Sequence, residues 1–230
     1  TSRPDSIKEN LNSSTRHQLN ETKKEIHSLE GLGKISNKES NIAINEILSK
    51  IGYADIRSSL NIENISLRIG QTKELAKIYQ LNHELKKTDL DLSEMKGSRE
   101  AFNSLDASDF IEKVKDEELS IQLIQEVHAK IMSGTGLSDE HVGTFRNKDV
   151  EVSKGELGSL EVSPYLDISM NVKELCSSFI NTSEKDPIVL GAWLQHELSR
   201  IHPFLDGNGR TLRKLTDWCL LKFNYFPFHI

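Results

Sequence analysis

Ile and Leu recur at spacings of three and four through the first hundred residues, as in NIAINEILSKIGYADI and IGQTKELAKIYQLNHEL, with Lys, Glu, Asn and Ser between them. A 3.6-residue period gathers such positions into one apolar stripe per helix, so this region reads as amphipathic helices broken at Gly31, Gly33, Gly52 and Gly70. From GSREAFNSLDASDFIEKV onward the stripes are more apolar, and LSIQLIQEVHAKIM sets Ile121, Ile124, Val127, His128 and Ile131 on one face. The pattern divides the chain into an N-terminal helical region, 1–96, and a more compact helical domain, 97–230. The period changes once, in a Gly- and Ser-rich segment. There VEV at 150–152 and LEV at 160–162 alternate around a Gly-containing centre, predicting a small exposed hairpin of Val150, Glu151, Val152 and Leu160, Glu161, Val162. Asp186 as N-cap and Pro187 in the first turn then start another helix, with Leu190, Trp193, Leu194 and Leu198 as its buried stripe. Gly207 and Gly209 interrupt the pattern and RTLRKLTDWCLL resumes it. The predicted fold class is all-α, a helical bundle with one small β-hairpin.

Composition narrows the function classes. The chain has 230 residues, 36% of them hydrophobic, enough for a buried core in one or two domains. With 29 Lys+Arg against 35 Asp+Glu the formal net charge is −6, which offers no general attraction to nucleic acid or an anionic membrane. Any polyanion site must be built from local basic residues. No run approaches the ~18 apolar residues of a membrane span, and the amino end, TSRPDSIKEN, is too polar for a signal peptide. Cys176 and Cys219 lie on apolar helical faces without metal-ligand spacing and read as reduced core thiols. A cytoplasmic protein is expected.

The local exception is IHPFLDGNGRTLR, residues 201–213, a loop running into a helix amino end. Free N–H groups and partial positive charge at such an end favour anions. Gly207 and Gly209 let the backbone approach a phosphate with no Cβ in the way. Arg210 and Arg213, three apart, share a face of the new helix. Asp206 offers the oxygen that a phosphate-bound Mg²⁺ takes from a protein, and His202 offers a base titrating near 6.5. Together these groups suit a nucleoside triphosphate, its metal and a base for an incoming nucleophile. HELSRIH superficially suggests zinc, but the second His of a zinc helix is needed at i+4. Arg200 stands there, and His202 at i+6 lies ~120° round the helix from His196.

HPFLDGNGRTLR resembles the signature of the Fic (filamentation induced by cAMP) family, H-x-F-x-[D/E]-G-N-G-R-x-x-R, at every specified position. EVHAKIM, VGTFRNKDVEV and GAWLQHELSRI are similar to its flanking helix, G-x-x-R loop and pre-motif helix, so the likeness extends over about 97–227. The resemblance implies transfer of AMP from ATP to a Ser, Thr or Tyr hydroxyl of a target protein, with release of pyrophosphate. It implies His202 as the base, Asp206 as the Mg²⁺ ligand, and Asn208 with the Gly207 and Gly209 amides on phosphate oxygens. Arg210 would contact the polyphosphate tail, Phe204 would anchor the loop, and the hairpin would align the target by strand pairing. The phosphorylating Doc branch carries Lys where this chain has Gly209, which favours nucleotidyl transfer. Many family members have an inhibitory helix, [S/T]-x-x-x-E-[G/N], whose Glu pairs with the second signature arginine. EIHSLEGL offers Glu30 before Gly31, implying a Glu30–Arg213 salt bridge, although Ile26 stands where the motif has Ser or Thr.

Other readings of the same loop are a Fic-fold transferase with another donor, a de-AMPylase, a non-catalytic nucleotide-binding module and a metal-dependent phosphodiesterase using His202 and Asp206. The polar N-terminal helices could pack on their own domain or on a second subunit, making a homodimer.

Overall fold

A computed structural model of the chain describes residues 4, 12–32, 56–62, 65, 71, 73–74, 76–77, 97–153 and 159–225. Helix α1 spans Ser13–Leu32, residues 56–62 are helical, and α2 spans Ser98–Lys113. They are followed by α3 at Ile121–Met132, α4 at Ile168–Ile180, α5 at Pro187–Ile201 and α6 at Asn208–Lys222. Strands β1, Val152–Ser153, and β2, Ser159–Leu160, pair antiparallel and are the strands among the described residues. The protein is all-α with one small hairpin. Helix α1 continues through Gly31 and ends at Leu32. The breaks expected at Gly33, Gly52 and Gly70 lie outside the described residues, as does most of NIAINEILSKIGYADI.

The apolar stripes find one another as their periodicity requires. Leu190, Trp193, Leu194 and Leu198 of α5 are all buried, as are Ile124, Val127, His128 and Ile131 of α3. Helix α5 starts where Asp186 Oδ1 accepts the Ile188 N–H at 3.2 Å and Pro187 supplies a first-turn residue with no N–H to satisfy. Helix α6 packs along α5 and also against α2 and α3. Phe179 of α4 lies 6.4 Å from Trp193 and 5.7 Å from Trp218, ring centre to ring centre, while the Trp218 indole N–H donates to the Val114 carbonyl at 3.0 Å. Each Leu or Phe so buried contributes about 1.5–3 kcal/mol. The result is a stiff two-helix platform, and the loop joining α5 to α6 sits at its edge.

Cys176 and Cys219 are buried free thiols, and burial pushes them up to about 11 and about 12, away from the reactive thiolate. Among the described residues no helix is long and apolar enough to cross a membrane.

The hairpin is shorter than the alternation predicts. Of the six expected positions only Val152 and Leu160 are in strands, whereas Val150, Glu151, Glu161 and Val162 are not. The register pairs Val152 with Leu160, so one further step would set Glu151 directly across from Glu161, and like charges opposite one another disfavour pairing. Below that point the two legs are held by other partners. Asp149 Oδ1 accepts the Tyr165 N–H at 2.8 Å, and the Ser163 N–H donates to the Arg200 carbonyl at 3.1 Å.

Candidate functional site

Pro203 ends α5. The residue before a proline is pushed out of the right-handed helical region, and His202 takes the left-handed conformation, φ 50° and ψ 61°, with its N–H still bonded to the Leu198 carbonyl at 2.9 Å. A non-glycine residue in that region carries about 1–2 kcal/mol of strain, sustained here by the bonds around it. The half-buried imidazole is held below its ordinary pKa of 6.5, first by burial and next by the positive charge of Arg146, against a hydrogen bond with the Ser199 backbone and the attraction of Asp206. It is therefore neutral near pH 7 and able to accept a proton.

From 202 the chain turns tightly into α6. The Asn208 side chain holds the turn shut, accepting the Phe204 N–H at 2.9 Å and donating to the Phe204 carbonyl at 2.8 Å. Asn208 therefore braces the loop, with Oδ1 and one of its two Nδ2 hydrogens engaged on Phe204. Phe204 is buried, its ring stacked on His128 at 3.7 Å. At the start of α6 the N–H groups of Asn208, Gly209 and Arg210 precede the first intrahelical bond, Thr211 N–H to the Gly207 carbonyl. Beside them the Arg210 side chain is 9% exposed, its Nη2 is 3.7 Å from Asp206 Oδ2, and its Nε has no hydrogen-bond partner among the described residues. A buried guanidinium N–H without an acceptor is costly and marks a place suited to an anion. Asp206 is 62% exposed, and its Oδ1 accepts the Gly207 N–H at 2.6 Å.

His128 lies under the loop and was visible in the sequence only as a titratable residue on an apolar helix face. It is fully buried; Nδ1 accepts the Gly143 N–H at 2.9 Å, which leaves Nε2 to donate to the Asp206 carbonyl at 3.0 Å. Burial, outweighing that bond and helped by the charge of Arg210, depresses its pKa to about 4. The unfolded imidazole titrates near 6.5, so the unfolded state takes up the proton first as pH falls. The stability this confers is complete above pH 6.5 and is lost as pH drops towards about 4. Denaturant unfolding should show a loss of roughly 2–3 kcal/mol between pH 7 and 4.5 that His128→Gln does not share.

Arg213, also expected at the anion site, is half-buried and bound by the helical stretch 56–62: its Nε donates to Ser59 Oγ at 2.9 Å and its Nη2 to the Ser59 carbonyl at 3.1 Å. The sequence carried no signal for Ser59. Glu30 is in the last turn of α1, but its side chain lies outside the described residues, and with it the expected Glu30–Arg213 bridge. Helix α1 is fastened to the domain by an ion pair of Lys23 with Asp186, the N-cap of α5.

The helical bundle thus displays a tight loop, a neutral imidazole and a helix amino end around a buried arginine. The chain matches the Fic/DOC family model over residues 118–220, a little under half of its length. It is 28% identical over 190 residues to a protein adenylyltransferase Fic of Drosophila erecta, a match covering 82% of this chain and 36% of that protein. The chain thus spans about a third of the length of the curated relatives it matches. Its fold is similar to a Fic domain containing signaling protein from Bacteroides thetaiotaomicron, with a TM-score of 0.69 and 20% identity over 90% of this chain and 75% of the other. A Fic family protein from Desulfovibrio desulfuricans gives a TM-score of 0.65 and 21% identity over 90% of this chain and 58% of the other.

Proposed function

We propose that the protein is a Fic-type adenylyltransferase that moves AMP from ATP to a Ser, Thr or Tyr hydroxyl of a target protein, with Mg²⁺, and is restrained by its own N-terminal helix. The observation carrying this reading is the meeting, across one short loop, of a neutral imidazole and a helix amino end whose buried Arg210 has an unpartnered Nε. The activity named for the Drosophila relatives points the same way.

In this reading the target oxygen bonds to the α-phosphorus as its proton passes to the His202 imidazole. The bond from that phosphorus to the bridging oxygen breaks, and pyrophosphate leaves. Developing negative charge is met by the N–H groups at the start of α6 and by Arg210, and Gly209 has no Cβ to hinder close approach. Asp206 suits a metal held mainly by phosphates, since one exposed protein carboxylate completed by phosphate and water oxygens is an ordinary Mg²⁺ environment. Among the described residues no cluster of three or more His, Cys, Asp or Glu forms a protein cage for a metal. When bound, Mg²⁺ would supply charge neutralisation on the phosphates. The hairpin, with Val152 and Leu160 at its paired end, would offer a strand edge that registers a target segment through main-chain bonds.

Glu30 is the brake in this reading, an anion competing with phosphate for Arg213. Glu30→Gly is expected to raise transfer by about 5–150-fold, the span of an ordinary coupling energy. Equal activity and equal ATP affinity in the two proteins would remove the brake. The donor chemistry is tested with ATP labelled at either the α- or the γ-phosphate. Protein-bound label from the α-position alone is expected; label from the γ-position would establish phosphorylation instead.

A further inference from the structure

Arg146 is 3% exposed, and none of the chemistry above requires it to touch a ligand. Its guanidinium is fully enclosed and distributed over three separate segments. Nε donates to the His202 carbonyl at 2.8 Å, Nη1 donates to the Lys148 carbonyl at 2.8 Å, and Nη2 donates to the Ser163 carbonyl. Asp149 Oδ1 lies 3.6 Å from Nη1, and the Arg146 backbone N–H donates to the Pro203 carbonyl at 2.9 Å. One side chain therefore ties the leg entering β1, the leg leaving β2 and the end of α5 that carries His202.

The hairpin cannot supply this orientation itself. It has two residue pairs, and a two-stranded ribbon of that size is marginal in water. His202, for its part, is in a left-handed conformation that surrounding bonds must hold, and the bond to its own carbonyl comes from Arg146. We infer that Arg146 is a positioning residue, the joint that holds the hairpin and His202 in one frame so that a strand laid along the hairpin brings its hydroxyl to the imidazole. The purpose of the joint rests on the reaction proposed above; its existence can be tested without that reaction. A planar fork of five N–H groups suits three carbonyls lying in different directions. Lysine keeps the charge and loses the fork.

Hydrogen exchange of Arg146→Lys against the unchanged protein is the test. Amides at 148–153, at 159–163 and at 202–206 should all exchange at least about 10-fold faster, while the buried amides of α4 and of α6 beyond its first turn keep their protection. Ser163 remains tied to Arg200 by its own N–H, so the domain should stay folded. In a Glu30→Gly background the same substitution should lower transfer from α-labelled ATP about 10–100-fold, as a misplacement of an ångström does, with ATP affinity by calorimetry unchanged. A purely structural arginine would instead lower protection, ATP affinity and transfer together. Faster exchange on one side of the joint alone, or transfer within twofold of the parent, overturns the inference. Coupled loosening in a protein whose parent transfers nothing from ATP supports the joint and overturns the reading of the reaction. Should Arg146→Lys fail to fold, Asp149→Ala releases only the hairpin side from a surface position: exchange should quicken at 148–153 and 159–165 but not at 202–206, and transfer should fall severalfold at unchanged ATP affinity. Unchanged exchange and transfer in that variant would overturn it.

Discussion

Replacing His202 by Ala is expected to lower AMP transfer by about 10²–10⁴-fold, the usual contribution of a positioned general base, while ATP affinity and thermal stability stay close to those of the parent. The backbone supports this separation. Residue 202 is held by its N–H on Leu198 and by its carbonyl under Arg146, neither of which uses the imidazole, and alanine in the left-handed region costs about the same 1–2 kcal/mol as histidine. The pH dependence follows from the direction of the pKa. Burial and Arg146 hold the imidazole below 6.5, so the active neutral form predominates at neutral pH and declines on the acid side. Transfer should rise with pH through a midpoint below 6.5 and gain little from 7 to 8. A His202→Ala protein that retains transfer, or a rate still climbing through pH 7.5, would remove His202 from the base's role.

Gly207→Ala should be the most damaging single-methyl change in the loop. Gly207 has φ +72°, and a Cβ there would lie 2.4 Å from Met132 Sδ and 2.8 Å from its Cγ. Met132 is 1% exposed and packed in the core, so it has little room to yield. The left-handed penalty of about 1–2 kcal/mol and an overpacking cost of about 1–3 kcal/mol give an expected loss of roughly 2–5 kcal/mol. The disturbance also reaches ligand binding, because residue 207 leads directly into the N–H groups at the head of α6. Chemical denaturation and ATP calorimetry on one sample should show both losses. A Gly207→Ala protein as stable as its parent would mean that the Met132 contact does not constrain the loop.

The parts of the fold that were legible are those governed by nearest-neighbour chemistry. A 3.6-residue period gave away α3, α5 and α6, and Asp186 with Pro187 marked the start of α5, because a stripe and a cap are local properties. The hairpin was legible in kind but not in length: alternation reveals strand tendency, while the Glu151 and Glu161 confrontation depends on a register that only the folded turn decides. Around the loop, His202, Asp206, Gly207, Gly209 and Arg210 do gather at one helix end. The bracing of the turn by Asn208 was not legible, because its two partners are backbone groups of Phe204 and residue type alone does not reveal them. The contacts of His128, Arg146 and Ser59 were hidden for a simpler reason. Their partners stand 78, 56 and 154 residues away, and no period or spacing encodes such contacts.

The most direct test of the central claim is intact mass with peptide mapping after the unchanged protein, Glu30→Gly and His202→Ala are each incubated with Mg²⁺ and ATP. The account predicts an added AMP on a hydroxyl side chain, more abundant in Glu30→Gly than in the unchanged protein and absent in His202→Ala. An adduct of equal abundance in His202→Ala, or an added phosphate in place of AMP, would contradict it.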